Sequence, residues 1–347
     1  METFIAPTDR PDLLLTAVSQ AVDFLRDGEV VALPTETVYG LAADALNPAA
    51  VARIFAAKER PAFDPLIIHL PHRKRLTDVA IVPPDIAETV AVLIEKFWPG
   101  PLTLVLPKSD AVPPAVTGGL STVAVRMSSH PVFKAVVTSF GGPLAAPSAN
   151  RFGRISPTSA GAVRAELDGR IPLILDAGAC AEGIESTILK IVPTAKGKPL
   201  FRILRAGPIT KEDLQPYGKV EWANGQPDKK GNIAPPEVPG QLPNHYAPRT
   251  PLRLVENPDH FLPDPNKRYA LLSYRGDAED GYLSLTEWAI VLTLSPGSGK
   301  LPEAALRLYH CLRVLDELEV DEIIAEPVPQ RDVGIAIMER LRRASHL

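Results

Sequence analysis

The chain has 347 residues, 45% hydrophobic and 22% charged, with a net charge of −4. That length exceeds one ordinary core, so two domains are expected, and the acidic balance excludes a general attraction to nucleic acid, leaving any RNA contact to a local patch. The two cysteines, Cys180 and Cys311, lie far apart without metal-type spacing, which excludes a disulfide framework or a zinc site and fits a reducing cytoplasm. The opening METFIAPTDRPD lacks the basic start and apolar core of a secretory leader, and no apolar run approaches membrane-spanning length, so a cytoplasmic location without membrane contact is expected.

Asp12 to Asp27 reads as a first helix, with Leu14, Leu15, Val18, Val22 and Leu25 on one stripe and Gly28 as the C-cap. Val30 to Leu33 is a short apolar strand closed by Pro34, after which Thr35, Glu36, Thr37 and Tyr39 crowd hydroxyls and a carboxylate into one turn. Asn47 and Pro48 open a helix as N-cap and first helical residue, and Pro61 ends it near Arg60, placing Lys58 and Arg60 at a helix end. Leu66 to Leu70 reads as an interior strand carrying one polar side chain, His69. A helix from Asp85 to Lys96 and a strand from Leu102 to Leu106 follow. In the strand Thr122 to Met127, Val123, Val125 and Met127 alternate with Thr122, Ala124 and Arg126, so hydroxyl and guanidinium share a face. Arg126 in mid-strand needs an anionic partner.

Leu144 to Pro147 is a further strand closed by Ser148, Ala149 and Asn150, and Ser156 reads as the N-cap of a helix carrying Val163 and Leu167. Strands at Ile171 to Leu175, Ser186 to Ile191 and Phe201 to Leu204 complete a first domain over 1–210, with Arg205 just before the turn at Gly207 and Pro208. Residues 211–250, rich in Pro, Gly and Asn without a hydrophobic period, read as a linker. Over 251–347, strands at Leu252 to Val255, Tyr269 to Ser273, Ala289 to Leu292 and Glu322 to Ala325 join helices at Glu303 to Leu318 and Gly334 to Arg343 in a small, mostly parallel α/β domain.

The first domain thus presents Thr37, Lys58, Arg60, His69, Thr122, Arg126, Ser148, Asn150, Ser156, Ser186 and Arg205, mostly at strand ends or in the following turns, where open α/β sheets place ligands. Cations with many hydroxyls and few carboxylates describe a polyanion site. No GxxxxGK[ST] loop, GxGxxG or GxSxG elbow is present, and SPGSGK at Ser295 lacks the spacing. Each residue also has a plainer reading: Lys58 and Arg60 as complements of the helix dipole, His69 as a bonded core residue, Ser156 as a simple cap, Ser148 and Asn150 as turn formers. Spacing alone gives a nucleotide- or phosphate-binding α/β enzyme. A double-stranded RNA-binding module without catalysis stands as the alternative, with weak RNA binding as its milder form.

PTETVYGL, the KxRP of Lys58 to Pro61, PLIIH, FWPGPLTLVL, VAVRM, APSAN, SPT, ESTI and ILRAGP, in this order, resemble the threonylcarbamoyl-AMP synthase (YrdC-like) family over roughly residues 14–210. PGQLPNHYAP, LRVLDE and GIAIMERLRRA are similar to its long form, with a linker and an extra C-terminal domain. The resemblance implies a YrdC-like open twisted sheet followed by a Rossmann-like domain. It implies synthesis of threonylcarbamoyl-AMP and pyrophosphate from L-threonine, bicarbonate and ATP, with the product passed to a tRNA threonylcarbamoyl transferase complex for tRNA modification. A carbamoyltransferase using carbamoyl phosphate is the duller enzyme alternative, and the acylphosphatase and zinc-finger segments usual there are missing. By resemblance, Thr37, His69, Arg126 and Ser186 hold threonine. Lys58, Arg60, Asp64, Thr122, Ser148, Asn150, Ser156 and Arg205 hold ATP, Lys58 and Arg60 act in catalysis, and Tyr246 closes over the nucleotide as part of a lid. Mg2+ is expected to arrive with ATP, with no protein metal site and no organic cofactor. Asp64 stands where the family usually has asparagine and needs Mg2+ or Arg60 to neutralise it.

Overall fold

The chain was described from a computed structural model, which covers residues 2–194, 198–223, 237–241 and 245–345. The described residues form two units. The first holds 2–152, 157–180, 185–194, 198–223 and 237–241; the second holds 153–156, 181–184 and 245–345.

In the first unit the strands are, in chain order, β1 Phe4–Pro7, β2 Val31–Leu33, β3 Gly40–Asp44, β4 Ile67–His69, β5 Leu102–Pro107, β6 Thr122–Arg126, β7 Leu144–Ala145, β8 Leu173–Asp176, β9 Thr187–Val192, β10 Leu200–Arg205 and β11 Lys219–Trp222. They form one 11-stranded sheet in the order β1-β8-β2-β3-β7-β4-β6-β5-β9-β10-β11. The sheet is mixed: β4 runs parallel to β6 and β5 to β9, whereas β3, β7 and β4 alternate in direction, as do β6 and β5. Although a mixed sheet has no single carboxyl edge, His69 and Arg126 close the parallel β4 and β6, and Arg205 closes β10, so these residues stand at strand ends as expected.

The alternation read in Thr122 to Met127 decides the two faces. Val123, Val125 and Met127 join the main core with Ile68, Leu104 and Leu189, under the helices Pro48–Lys58 and Ala87–Phe97. On the opposite face, the helices Pro11–Arg26 and Pro131–Phe140 bury Val18, Val22, Phe133 and Val137 against Val31, Leu33 and Leu144. Further along that face, beneath β4, β6, β5, β9 and β10, the apolar cover shrinks to Ile67, Val105, Ala124, Ile188, Leu204 and Val238. Polar side chains take over there.

Asn47 caps its helix, accepting from the amides of Ala49 and Ala50, and Glu59 ends it at φ 55°. Residues 211–222, read above as linker, are a correction: Lys211–Leu214 is a helical turn with a capping box from Thr210, and β11 pairs in parallel with β10. The proline-rich remainder at 224–236 and 242–244 lies outside the described residues.

The second unit carries β12 Leu252–Leu254, β13 Tyr269–Ser273, β14 Trp288–Thr293 and β15 Glu322–Ala325 in the order β12-β15-β13-β14, every pairing parallel. Its helices Leu301–Asp316 and Gly334–Ala344 bury Leu308, Leu312, Ile337 and Leu341. Among the described residues no helix is long and apolar enough to cross a membrane.

Candidate functional site

The turn between β2 and β3 folds onto the sparsely covered face. Thr35 builds it: its hydroxyl accepts from the amides of Thr37 and Val38, donates to the Val38 carbonyl at 2.6 Å and meets the Thr37 hydroxyl at 2.9 Å. These bonds aim Thr37 and Glu36 at Arg126, which ends β6. The guanidinium donates to Thr37 Oγ1 at 2.9 Å, pairs with Glu36 Oε1 at 2.7 Å and reaches the Gly100 carbonyl at 3.3 Å. Glu36 is held on its other side by the Ser128 hydroxyl and the Ser129 amide. Burial alone raises a carboxyl, but here the Arg126 charge and the bonds from Ser128 and Arg126 prevail and hold Glu36 at about 2. The anionic partner that Arg126 requires is therefore supplied by the chain itself. Glu36 was read only as part of a crowded turn; the rule that a buried arginine is paired pointed to it, one residue before Thr37.

His69 sits beside Arg126 in register on the parallel β4 and packs on the Phe133 ring at 4.7 Å between centroids. Burial and the neighbouring Arg126 push it down to about 3, so the imidazole is neutral at physiological pH. A neutral ring next to a guanidinium can accept or donate a hydrogen bond without adding repulsion.

A second cluster collects the remaining cations. Lys58, buried at the end of its helix, donates to the main-chain carbonyls of Ser148 (2.6 Å) and Asn150. Burial, then the Arg60 charge, lowers its pKa well below the ordinary lysine value, against the opposing pull of Asp64 and Glu166. Arg60 pairs with Asp64 at 2.9 Å, both side chains buried, and donates to the carbonyls of Asp64 and Pro65. Arg60 thus supplies the neutralisation that the odd aspartate needs. The Asp64 carboxyl is raised by burial, against the charges of Arg60, Lys58 and Arg205.

Arg205, closing β10, donates to the Ser186 carbonyl at 2.9 Å and the Ser186 hydroxyl at 3.1 Å, and Ser186 in turn bonds Thr103 at 2.8 Å. Gly207 makes this possible: a Cβ there would stand 2.4 Å from the Thr187 amide nitrogen and 2.6 Å from the Ser186 carbonyl carbon. Thr122 and Ser148 are half-buried and Asn150 is buried.

Ser156 departs from its expected place as an N-cap. The N-cap of the helix Ala160–Leu167 is Ser159, which accepts from the Ala162 amide; Ser156 lies earlier, belongs to the second unit and makes no hydrogen bond through its hydroxyl among the described residues. The Ser-Pro-Thr-Ser run offers two candidate caps, and Pro157 keeps the chain extended at the first. Tyr246, expected in a lid, stands in the second unit at φ 66°, 5.9 Å from the Tyr309 ring and under the Arg340 guanidinium. The neighbouring 242–244 of the expected lid lie outside the described residues. Among the described residues no three His, Cys, Asp or Glu side chains gather as a metal cage, and the Asp64 carboxylate is already engaged by Arg60.

The first unit is therefore a mixed α/β ligand-binding domain with a buried cationic face, followed by a parallel α/β domain. A family model described as telomere recombination (Sua5, YciO and YrdC) matches residues 23–207, and one described as threonylcarbamoyl-AMP synthase, C-terminal domain, matches 209–346. A Bacillus subtilis threonylcarbamoyl-AMP synthase is 42% identical, covering 99% of this chain and 96% of that protein. One from Pyrococcus abyssi is 39% identical over 94% of this chain and 93% of its own. The crystal structure of P. abyssi Sua5 complexed with L-threonine superposes with a TM-score of 0.83 at 34% identity, covering 99% of this chain and 98% of that one. The chain belongs to the threonylcarbamoyl-AMP synthase family, in the long form with the additional C-terminal domain.

Proposed function

We infer that this chain makes threonylcarbamoyl-AMP and pyrophosphate from L-threonine, bicarbonate and ATP. The observation that carries the reading is the set of four buried basic side chains, Lys58, Arg60, Arg126 and Arg205, held among hydroxyls and main-chain carbonyls, with Glu36 on Arg126 and Asp64 on Arg60. Such a set attracts an anionic ligand, and a triphosphate with an amino-acid carboxylate supplies the charge.

In this reading the Thr37, His69 and Arg126 group receives threonine, the arginine presenting its fork to the carboxylate. Lys58, Arg60 and Arg205 face the triphosphate, aided by Ser148, Asn150, Thr122 and Ser186. The threonine amine takes up bicarbonate or carbon dioxide, and the resulting carbamate oxygen attacks the α-phosphorus. Pyrophosphate leaves. No protein nucleophile is required, so the chain contributes positioning and charge neutralisation. Mg2+ carried by ATP would take its ligands chiefly from the phosphates and would supply further neutralisation there. The product serves as the threonylcarbamoyl donor for tRNA modification.

One incubation with ATP, threonine and bicarbonate, scored for pyrophosphate, tests the assignment. Release that needs all three substrates is expected. Release at the same rate without threonine, or none at all, refutes it.

A further inference from the structure

The second unit has a cleft of about 630 Å3 that the chemistry above does not use. Because its four strands are all parallel, they share one carboxyl edge, and the cleft lies along it. Glu256 follows β12, Tyr274 and Arg275 follow β13, Gly299 follows β14 and Glu326 follows β15, all lining it. Open parallel sheets place ligands at this edge. Position alone would be weak, but the side chains carry the argument further.

Glu326 forms the floor at 4% exposure. Its Oε2 accepts from the Ser273 hydroxyl at 2.7 Å and the Tyr274 amide at 2.8 Å, while Oε1 accepts no hydrogen bond among the described residues. That oxygen, on a side chain otherwise enclosed, faces the cleft and is placed to accept from a ligand's donors. Two guanidiniums line the same cleft. Arg275 is held by Asp280 at 2.7 Å and by Asp277, yet its Nη1 has no partner among the described residues. Arg331 spends only Nη1, on Asp332 at 3.1 Å, leaving Nε and Nη2 open. Between floor and rim stand the rings of Tyr274 and Tyr282, whose hydroxyls are tied to the carbonyls of Gly299 and Val255.

A ligand that fits therefore brings paired donors to Glu326, a flat ring to the tyrosines and an anionic end to the arginines. A free amino acid is too small for such a volume. A triphosphate or an RNA backbone meets the carboxylates of Glu256 and Asp280 in the same wall. We propose that this cleft is a second small-molecule site that takes a ribonucleoside monophosphate, its ribose diol donating to Glu326 and its phosphate meeting Arg275 and Arg331.

The test is hydrogen–deuterium exchange on the full chain with AMP, read in peptides covering 273–282 and 326–331, a signal separate from pyrophosphate release. AMP is expected to slow exchange in both segments saturably. 2′,3′-Dideoxy-AMP and the Glu326→Gln variant should each bind about tenfold more weakly, the loss expected for a charge-assisted hydrogen bond. If Glu326→Gln does not fold, Arg331→Gln on the exposed rim serves, with a severalfold weakening expected. No slowing at millimolar AMP overturns the proposal. So does equal binding of the dideoxy compound, or binding unchanged in the variants.

Discussion

Exchanging Glu36 for glutamine tests how the chain keeps Arg126 buried without a ligand. The Glu36 carboxyl is lowered from 4.5 to about 2, and each pKa unit is worth ~1.4 kcal/mol, so the pairing contributes about 3 kcal/mol at neutral pH. A carboxyl with a depressed folded pKa contributes stability that is present above its unfolded value and lost as pH falls through the folded one. About 2 kcal/mol of it should therefore be gone by pH 3. Glu36→Gln removes the charge while retaining the shape. Urea unfolding of the first unit, followed through buried Trp98 in a background with Trp222 and Trp288 replaced by phenylalanine, gives the comparison. The variant should be less stable by about 3 kcal/mol at pH 7, and the gap should narrow to about 1 kcal/mol at pH 3. His69 also loses stability in acid because its pKa is depressed, and since the Glu36 charge opposes that depression, the variant should carry a slightly larger His69 loss that works against the narrowing. A gap that stays constant across that range would refute the ion-pair account.

Lys58→Met and Arg60→Ala should each lower pyrophosphate release by roughly a hundredfold or more with circular dichroism unchanged, and activity surviving both changes would remove them from catalysis. Arg126→Ala should weaken threonine more than ATP; equal losses would place it with the nucleotide. Gly207→Ala should displace Ser186 and Arg205 together and cost about 1–3 kcal/mol of stability along with ATP affinity, and a neutral result would mean the close approach is not required.

Much of the fold was legible where one periodicity dominated. The strand Thr122 to Met127 gave its two faces correctly, because a period of two leaves no choice once Val123 and Val125 are assigned to the core. Asn47 with Pro48 gave a helix start for equally local reasons. β3 was hidden because GLAAD is short, small and without alternation, although Gly40 to Ala43 are fully enclosed. β11 was hidden by its neighbours, since its pairing with β10 is a long-range fact that the Pro- and Gly-rich surroundings masked. At the site, single residues with one conspicuous property were visible: an arginine in mid-strand, a lysine at a helix end. What was not visible was which acid each would meet, because partner choice depends on how a turn folds back over a sheet face.

That partner choice has a consequence for binding. Each buried guanidinium is satisfied before any substrate arrives: Arg126 by Glu36 and Thr37, Arg60 by Asp64 and two carbonyls, Arg205 by Ser186. The groups are thus fixed in place by the fold, so little ordering is left for the ligand to drive. An incoming anion therefore adds to the existing network and need not dismantle it. The internal acids also set a limit. A cationic or neutral analogue of either substrate gains nothing from a guanidinium already paired, whereas an anion gains from the summed positive potential of the gathered basic groups, which makes charge the first filter they apply.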